Sequence, residues 1–191
     1  MTSRDPILDA AHRFRVAVNE GSVHSALMRD RQKWGQLCAS MDAIQDTQCA
    51  IQAWAGGPAS DDLGERYLRL YGVLQALFLQ QDAVKHAAEA VGEEWEPSAD
   101  LSEIRTIRNK SIGHPTKQGS KDLAFGVVQH SLRGGYFELT SFNLRDDGGE
   151  GIRSIDLTKL LREQSAAISG EMNHLAAVLE ARASNVAASS P

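Results

Sequence analysis

The spacing of the apolar residues changes twice along the chain, and these changes limit the folds that it can adopt. Up to about residue 112, apolar residues recur every three or four positions, as on one face of an amphipathic helix. From Leu123 to Ile155 they alternate with their neighbours, which is typical of β-strands. From Leu157 the helical spacing returns. The sequence therefore predicts a mainly α-helical bundle with a small antiparallel β-sheet inserted before the last helix.

About five helices are predicted from this spacing and from the residues that favour helix ends. Their predicted bounds are Asp5 to about Asn19, Ser22 to Gly56, Asp61 or Asp62 to Gly92, Asp100 to Gly113, and a last helix that Asp156 caps. Gly35 is the candidate position for a kink in the second helix, because glycine weakens a helix interior.

A β-hairpin is predicted around Arg133-Gly134-Gly135, and a candidate third strand follows at Ile152 to Ile155. This insertion covers about residues 123–155 of a single domain that spans residues 1–181. Small and polar residues predominate in 182–191, which predicts a flexible tail. No run approaches the ~18 apolar residues that a membrane span requires. We therefore expect a cytoplasmic protein that does not interact with a membrane.

The formal charge of −5 argues against a protein whose whole surface attracts nucleic acid. One segment is locally basic, however, because no acidic residue lies among its five cations. These are Arg105, Arg108, Lys110, Lys117 and Lys121. Cations near the end of a helix compensate its dipole, and this interpretation explains Lys110 by itself. The alternative is a phosphate-binding cluster, in which Arg105, Lys110 and Lys117 contact the substrate.

The segment 107–115, IRNKSIGHP, places an arginine near the end of the fourth helix and a histidine just after it. Gly113 is expected to adopt the left-handed conformation that ends many helices. Pro115 favours an extended conformation of the residue before it, which is His114. These two constraints would bring the imidazole near Arg108, beside the amide of Asn109. Such a group would make a compact site for a phosphodiester.

The pattern Arg108-Asn109 followed by His114, at the end of a late helix in a helical bundle, resembles the motif of the HEPN superfamily. The resemblance implies a metal-independent endoribonuclease without cofactors, of the kind found in toxin, defence and RNA-processing systems. It also implies a homodimer in which two motifs form one site, RNA or a nucleotide as ligand, and an antitoxin or regulatory protein as a further partner.

In the mechanism that this resemblance implies, a ribose 2′-OH attacks the adjacent phosphorus and leaves a 2′,3′-cyclic phosphate. His114 would act as general base or acid, Arg108 would neutralise charge on the phosphoryl oxygens, and Asn109 would orient the arginine or the phosphate. A second hypothesis is a non-catalytic HEPN-like module that binds nucleotide, RNA or a protein. A third is a helical scaffold unrelated to this family.

Polar residues interrupt the apolar third helix at Gln80-Gln81-Asp82. At least one of them must face the bundle, where a buried amide or carboxylate needs a partner. One interpretation makes Gln81 and Asp82 supporting residues of the site, with Arg108 as their partner. In the other, Gln80 and Asp82 face water and Gln81 bonds a neighbouring helix. Glu171 with His174, and Asp9 with His12, have the carboxylate-x-x-histidine spacing of di-iron bundles. The other helices offer no inward glutamate to complete such a site, so no metal is expected.

Overall fold

The structure of the protein is a computed structural model that describes residues 5–57, 60–116, 123–143 and 151–188. In these ranges the chain forms six α-helices and one three-stranded sheet. In chain order they are α1 (Pro6–Val18), α2 (Gly21–Leu27), α3 (Arg31–Gly56), α4 (Leu63–Val91), α5 (Ala99–Arg108), β1 (Leu123–Val127), β2 (Tyr136–Asn143), β3 (Gly151–Asp156) and α6 (Leu157–Ala188). The prediction of a mainly helical fold with a small antiparallel sheet before the last helix is confirmed.

The prediction of one continuous second helix is wrong, because the described chain has two helices, α2 and α3, in its place. The break lies before α3, where the Asp30 carboxylate accepts hydrogen bonds from the backbone N–H groups of Gln32 and Lys33. Asp30 thus begins a new helix, and Gly35 lies inside it. Glu20, not the predicted Ser22, caps α2.

Several predicted helix ends are confirmed by their hydrogen bonds. The Asp5 side chain caps α1 by accepting from two backbone N–H groups of the first turn. The Asp62 carboxylate caps α4 by accepting from the Glu65 N–H at 2.8 Å. α4 ends just before Gly92, whose positive φ of 81° is typical of a glycine at a helix end. Asp156 caps α6 by accepting from the Lys159 N–H at 2.9 Å. α5 begins at Ala99, so Asp100 lies in its first turn and is not its cap.

The sheet has the order β1-β2-β3, and both pairs are antiparallel. In the second pair, Phe137 lies opposite Ile155, and both side chains are buried. β3 leads directly into α6, which continues to Ala188. Residues 182–188 of the predicted tail are therefore helical.

The chain folds into two compact units. Unit 1 comprises residues 1–49, 79–98 and 164–191, and unit 2 comprises residues 50–78 and 99–163. Apolar side chains from five helices fill the core of unit 1, among them Phe14, Leu37, Ile44, Val84 and Met172. Residues of α4, α5 and the sheet are buried in unit 2, among them Leu74, Ile104, Ile107, Phe137 and Ile155. The single domain over residues 1–181 remains a prediction.

A chain of buried amides crosses the core of unit 1. Gln81 Nε2 donates to Gln164 Oε1 at 2.8 Å, and Gln164 Nε2 donates to Gln80 Oε1 at 3.0 Å. Gln80 Nε2 in turn donates to Gln48 Oε1 at 3.0 Å, and Gln48 Nε2 donates to the cap carboxylate of Asp5 at 2.7 Å. The prediction that Gln80 faces water is wrong, because its side chain is fully buried. Its two neighbouring amides compensate for the lost water.

Within the described ranges, no helix combines the length and the apolar composition that crossing a membrane would require.

Candidate functional site

Arg108 is the last residue of α5, and neutral amides hold its half-buried guanidinium. Its Nε and Nη2 both donate to Gln75 Oε1 on α4, at 3.0 and 2.7 Å. Its Nη1 donates to Asn109 Oδ1 at 2.9 Å. No acidic group in the described part of the chain forms an ion pair with Arg108, so its positive charge is not neutralised there.

Phe78 lies beneath two guanidinium groups. The Cζ atoms of Arg105 and Arg108 are 4.2 and 4.5 Å from its ring centroid, within the range of cation–π interactions. The two arginines are three residues apart on α5, and Gln75 and Phe78 are three residues apart on α4, so each pair shares one helix face. The contact between these two faces fixes the position of Arg108 in unit 2.

After Arg108 the helix widens into a π-turn, Asn109–Gly113. Its closing hydrogen bond runs from the His114 N–H to the Asn109 carbonyl at 2.7 Å. A Cβ atom on Gly113 would lie 2.8 Å from Arg108 Nη1 and 3.2 Å from Asn109 Oδ1. Glycine at this position therefore leaves the space that the guanidinium occupies.

The predicted left-handed conformation of Gly113 is wrong, because only Gly92 and Gly134 have positive φ among the described residues. The helix ends in the π-turn instead, without a left-handed residue. Single π-turns of this kind occur frequently at functional sites.

His114 directly follows this turn, and its side chain is exposed. Its φ of −142° and ψ of 58° lie outside the helical region, but they also lie outside the extended region that we predicted for the residue before Pro115. The carbonyl of that proline, Pro115, accepts from the Phe125 N–H at 2.6 Å, which ties the segment to β1. The imidazole forms no hydrogen bond with any described residue, including Arg108. The backbone of His114 is therefore fixed, and its ring is accessible to a ligand.

The other predicted substrate contacts differ in their surroundings. Arg105 shares the Phe78 ring with Arg108. The Lys110 ammonium lies 4.8 Å from the ring centroid of Phe125 on β1. Lys117 lies outside the described residues. Arg105, Arg108 and Asn109 thus lie close together, whereas Lys110 contacts the sheet.

The residue that supports Arg108 is Gln75, which we did not predict from the sequence. Among the predicted supporting residues, Gln81 bonds Gln164, and Asp82 is half-buried on α4. Gln75 lies between the buried residues Leu74 and Ala76, and it precedes Phe78 by three residues. An amide at the edge of an apolar stripe, on the same face as an aromatic ring, is the signal that could have identified it.

The donor set of this site suits an anion and not a metal. Guanidinium, amide and imidazole groups surround it, and a carboxylate is absent from the contacts of Arg108 described above. Among the residues that the structure describes, no group of three or more His, Cys, Asp or Glu could hold a metal ion.

We compared the chain with protein-family models, with curated proteins and with solved structures, and none of them matches it.

Proposed function

We propose that the protein is a metal-independent endoribonuclease with Arg108, Asn109 and His114 at its active site. The observation that carries this proposal is the fixed, uncompensated guanidinium of Arg108 in the turn that leads to an exposed histidine. A positive group held in place in advance stabilises the charge that grows on phosphoryl oxygens without reorganisation during the reaction.

The hydrogen bonds of Arg108 leave donors for a phosphate. Arginine carries five N–H groups, and the bonds to Gln75 and Asn109 use three of them. One N–H remains on each Nη atom, which is the arrangement that binds two phosphate oxygens. In this proposal Asn109 orients the guanidinium, and Arg105 adds positive charge beside the same Phe78 ring.

His114 is the proposed proton-transfer group. Histidine changes its charge near neutral pH, and the exposed ring can approach a ribose 2′-OH or the leaving 5′-oxygen. As base, it takes the 2′-OH proton while the 2′-oxygen attacks phosphorus. The bond from phosphorus to the 5′-oxygen breaks, and an acid returns a proton to that oxygen. The products are a 2′,3′-cyclic phosphate and a 5′-OH.

The reaction needs a base and an acid, whereas the described part of this site supplies one histidine. We therefore propose that a second copy of the chain supplies the other imidazole. Light scattering of the active protein tests this point, and a monomer that cleaves RNA at full rate would contradict it.

An assay of RNA cleavage in the presence of a chelator tests the proposed activity. His114→Ala and Arg108→Gln are each expected to reduce cleavage at least about 100-fold, as is typical when an acid–base group or a charge-stabilising group is lost. His86→Ala is the matched control, because His86 is an exposed histidine of α4 outside the site. Cleavage by His114→Ala at the wild-type rate would refute its catalytic role.

The second candidate function is a module that binds RNA or nucleotide without cleaving it. The specific observation in its favour is that no described residue orients the His114 ring, whereas Arg108 is firmly held. Binding of RNA that depends on Arg108 but not on His114, without any cleavage product, would establish this function instead.

A further inference from the structure

A basic cavity lies in unit 2, and none of the candidate site residues lines it. Its volume is about 570 Å³, which is within the usual range for small-molecule sites. Its walls come from the end of α3, the start of α4, the turn before β2 and the start of α6.

Three arginines line this cavity, Arg66, Arg69 and Arg133, against one acidic residue, Asp61. Arg66 and Arg133 form no ion pair with any described residue. Neutral carbonyls hold the Arg66 guanidinium: its Nη2 donates to the Asp61 carbonyl at 2.8 Å, and its Nη1 donates to the Leu132 carbonyl at 3.3 Å. Arg66 and Arg133 therefore bring positive charge to the cavity that no described ion pair neutralises.

The Nε–H of Arg66 is buried and has no hydrogen-bond partner among the described residues. A buried donor without a partner is rare in native proteins, and here it belongs to a guanidinium whose charge no described acid neutralises. The guanidinium is also fixed by its two carbonyl contacts, so it is ordered before a ligand arrives. Planar guanidinium groups match the oxygens of phosphates and carboxylates.

Two glycines keep this cavity open. A Cβ atom on Gly57 would lie 2.5 Å from Arg69 Nη2, and Arg69 Nη2 donates to the Trp54 carbonyl at 2.9 Å. A Cβ atom on Gly135 would lie 2.6 Å from Thr158 Oγ1. Side chains at these positions would displace groups of the cavity wall.

Aromatic side chains add a second kind of contact. Trp54 is half-buried in the cavity wall, and Tyr136 is 56% exposed there. Their rings can pack against a flat or apolar part of a ligand. A purely inorganic anion would leave these surfaces unused.

We propose that this cavity binds a small phosphomonoester that carries a ring, with its phosphate on Arg66 and Arg133 and its ring against Trp54 and Tyr136. A phosphate dianion matches two guanidinium groups that lack acidic partners, whereas a single carboxylate would neutralise only one of them. This site is separate from the Arg108 site and does not depend on the proposed ribonuclease activity.

Titration calorimetry with phenyl phosphate tests the proposal at about pH 8, where this probe is a dianion. We expect one site per chain with a dissociation constant below about 1 mM. Arg66→Gln and Arg133→Gln should each weaken binding at least about ten-fold. Arg162→Gln is the matched control, because Arg162 is exposed on α6 and does not line the cavity. Circular dichroism checks that each variant is folded.

Two further probes and one further variant make the test specific. Inorganic phosphate, which lacks the ring, and benzoate, which lacks the second charge, should each bind more weakly than phenyl phosphate. Quenching of tryptophan fluorescence by the probe should be lost in Trp54→Phe. Binding that is unchanged in Arg66→Gln, or that disappears in Arg108→Gln, would overturn the proposal, the latter because it would place the probe at the other site.

Discussion

The guanidinium of Arg108 lies against the backbone of Gly113, so closely that a Cβ atom there would be 2.8 Å from Nη1. Gly113 is thus required for space and not for a left-handed backbone. Asn109 Oδ1 lies on the same side, 3.2 Å from that Cβ position. The hydrogen bond between Arg108 and Asn109 therefore depends on the absence of a side chain at residue 113.

Gly113→Ala is expected to push the guanidinium away from Asn109. The crowding should cost about 1–3 kcal/mol of unfolding free energy, as overpacking usually does. RNA binding and cleavage should fall at least about ten-fold, because Arg108 loses its fixed orientation. Gly170→Ala is the control: its Cβ meets nothing within 4 Å inside α6, so it should raise stability by about 0.5–1 kcal/mol. Urea unfolding measures both changes.

Gln75→Glu tests whether the charge of Arg108 must remain uncompensated. The carboxylate is nearly isosteric with the amide and can accept the same two hydrogen bonds, so the fold should be retained. Its negative charge would pair with Arg108, and RNA affinity should fall about ten-fold at low salt. The control Gln32→Glu adds the same charge at an exposed position of α3. Equal losses of affinity in both variants would show that only the net charge matters.

Gln80→Leu interrupts the chain of buried amides in unit 1. Two buried groups, Gln48 Oε1 and Gln164 Nε2, would lose their Gln80 partners at once. Since each such group costs about 1–3 kcal/mol, we expect a loss of about 3 kcal/mol in the unfolding free energy. Gln32→Leu, at an exposed position, should change it by less than about 0.5 kcal/mol. A small effect of Gln80→Leu would mean that the core repacks around leucine.

The ion pair between Arg13 and Glu180 should make stability depend on pH. The hydrogen bond from Arg13 lowers the pKa of the Glu180 carboxyl in the folded state. Because the pKa of Glu180 is lower in the folded state than in the unfolded state, the ion pair stabilises the folded state fully above the unfolded-state pKa. This stabilisation is lost as the pH falls through the folded-state pKa. Glu180→Gln should therefore be less stable than wild type at neutral pH, and the difference should vanish in acid.

Thermal unfolding of both proteins from about pH 7 to pH 3 measures this difference. High salt should reduce it at neutral pH, because the pair is exposed. Glu94→Gln is the control, since Glu94 is an exposed glutamate without an ion pair to a described residue.

The helices and the sheet were predictable because an element that buries one face must have apolar residues at a regular spacing, which differs between helices and strands. The helix starts at Asp5 and Asp156 were predictable because an aspartate side chain can accept hydrogen bonds from the backbone N–H groups of the first turn. The break between α2 and α3 was not predicted, because the apolar residues on either side, Ala26 and Trp34, are eight positions apart, which also fits one continuous helix. The Asp30 cap determines the break locally.

The supporting groups of the candidate site were harder to predict because their partners are distant in sequence. Gln75 and Arg108 are 33 residues apart, and nothing near either residue indicates the other. Gln80 likewise bonds residues 32 and 84 positions away. A single sequence shows which polar residues interrupt an apolar helix. Which of their amides form hydrogen bonds with one another depends on how the helices pack.

The π-turn changes how the number of residues between Arg108 and His114 should be interpreted. His114 N–H reaches the carbonyl five residues before it, at Asn109, where an ordinary helix would use Lys110. The turn therefore absorbs one extra residue without extending the helix. A chain with one residue fewer in this segment could close the same hydrogen bond through an α-turn. The insertion or deletion of one residue between the arginine and the histidine can thus be accommodated by a change between an α-turn and a π-turn. The number of residues between them is therefore a poor guide to the distance between their side chains.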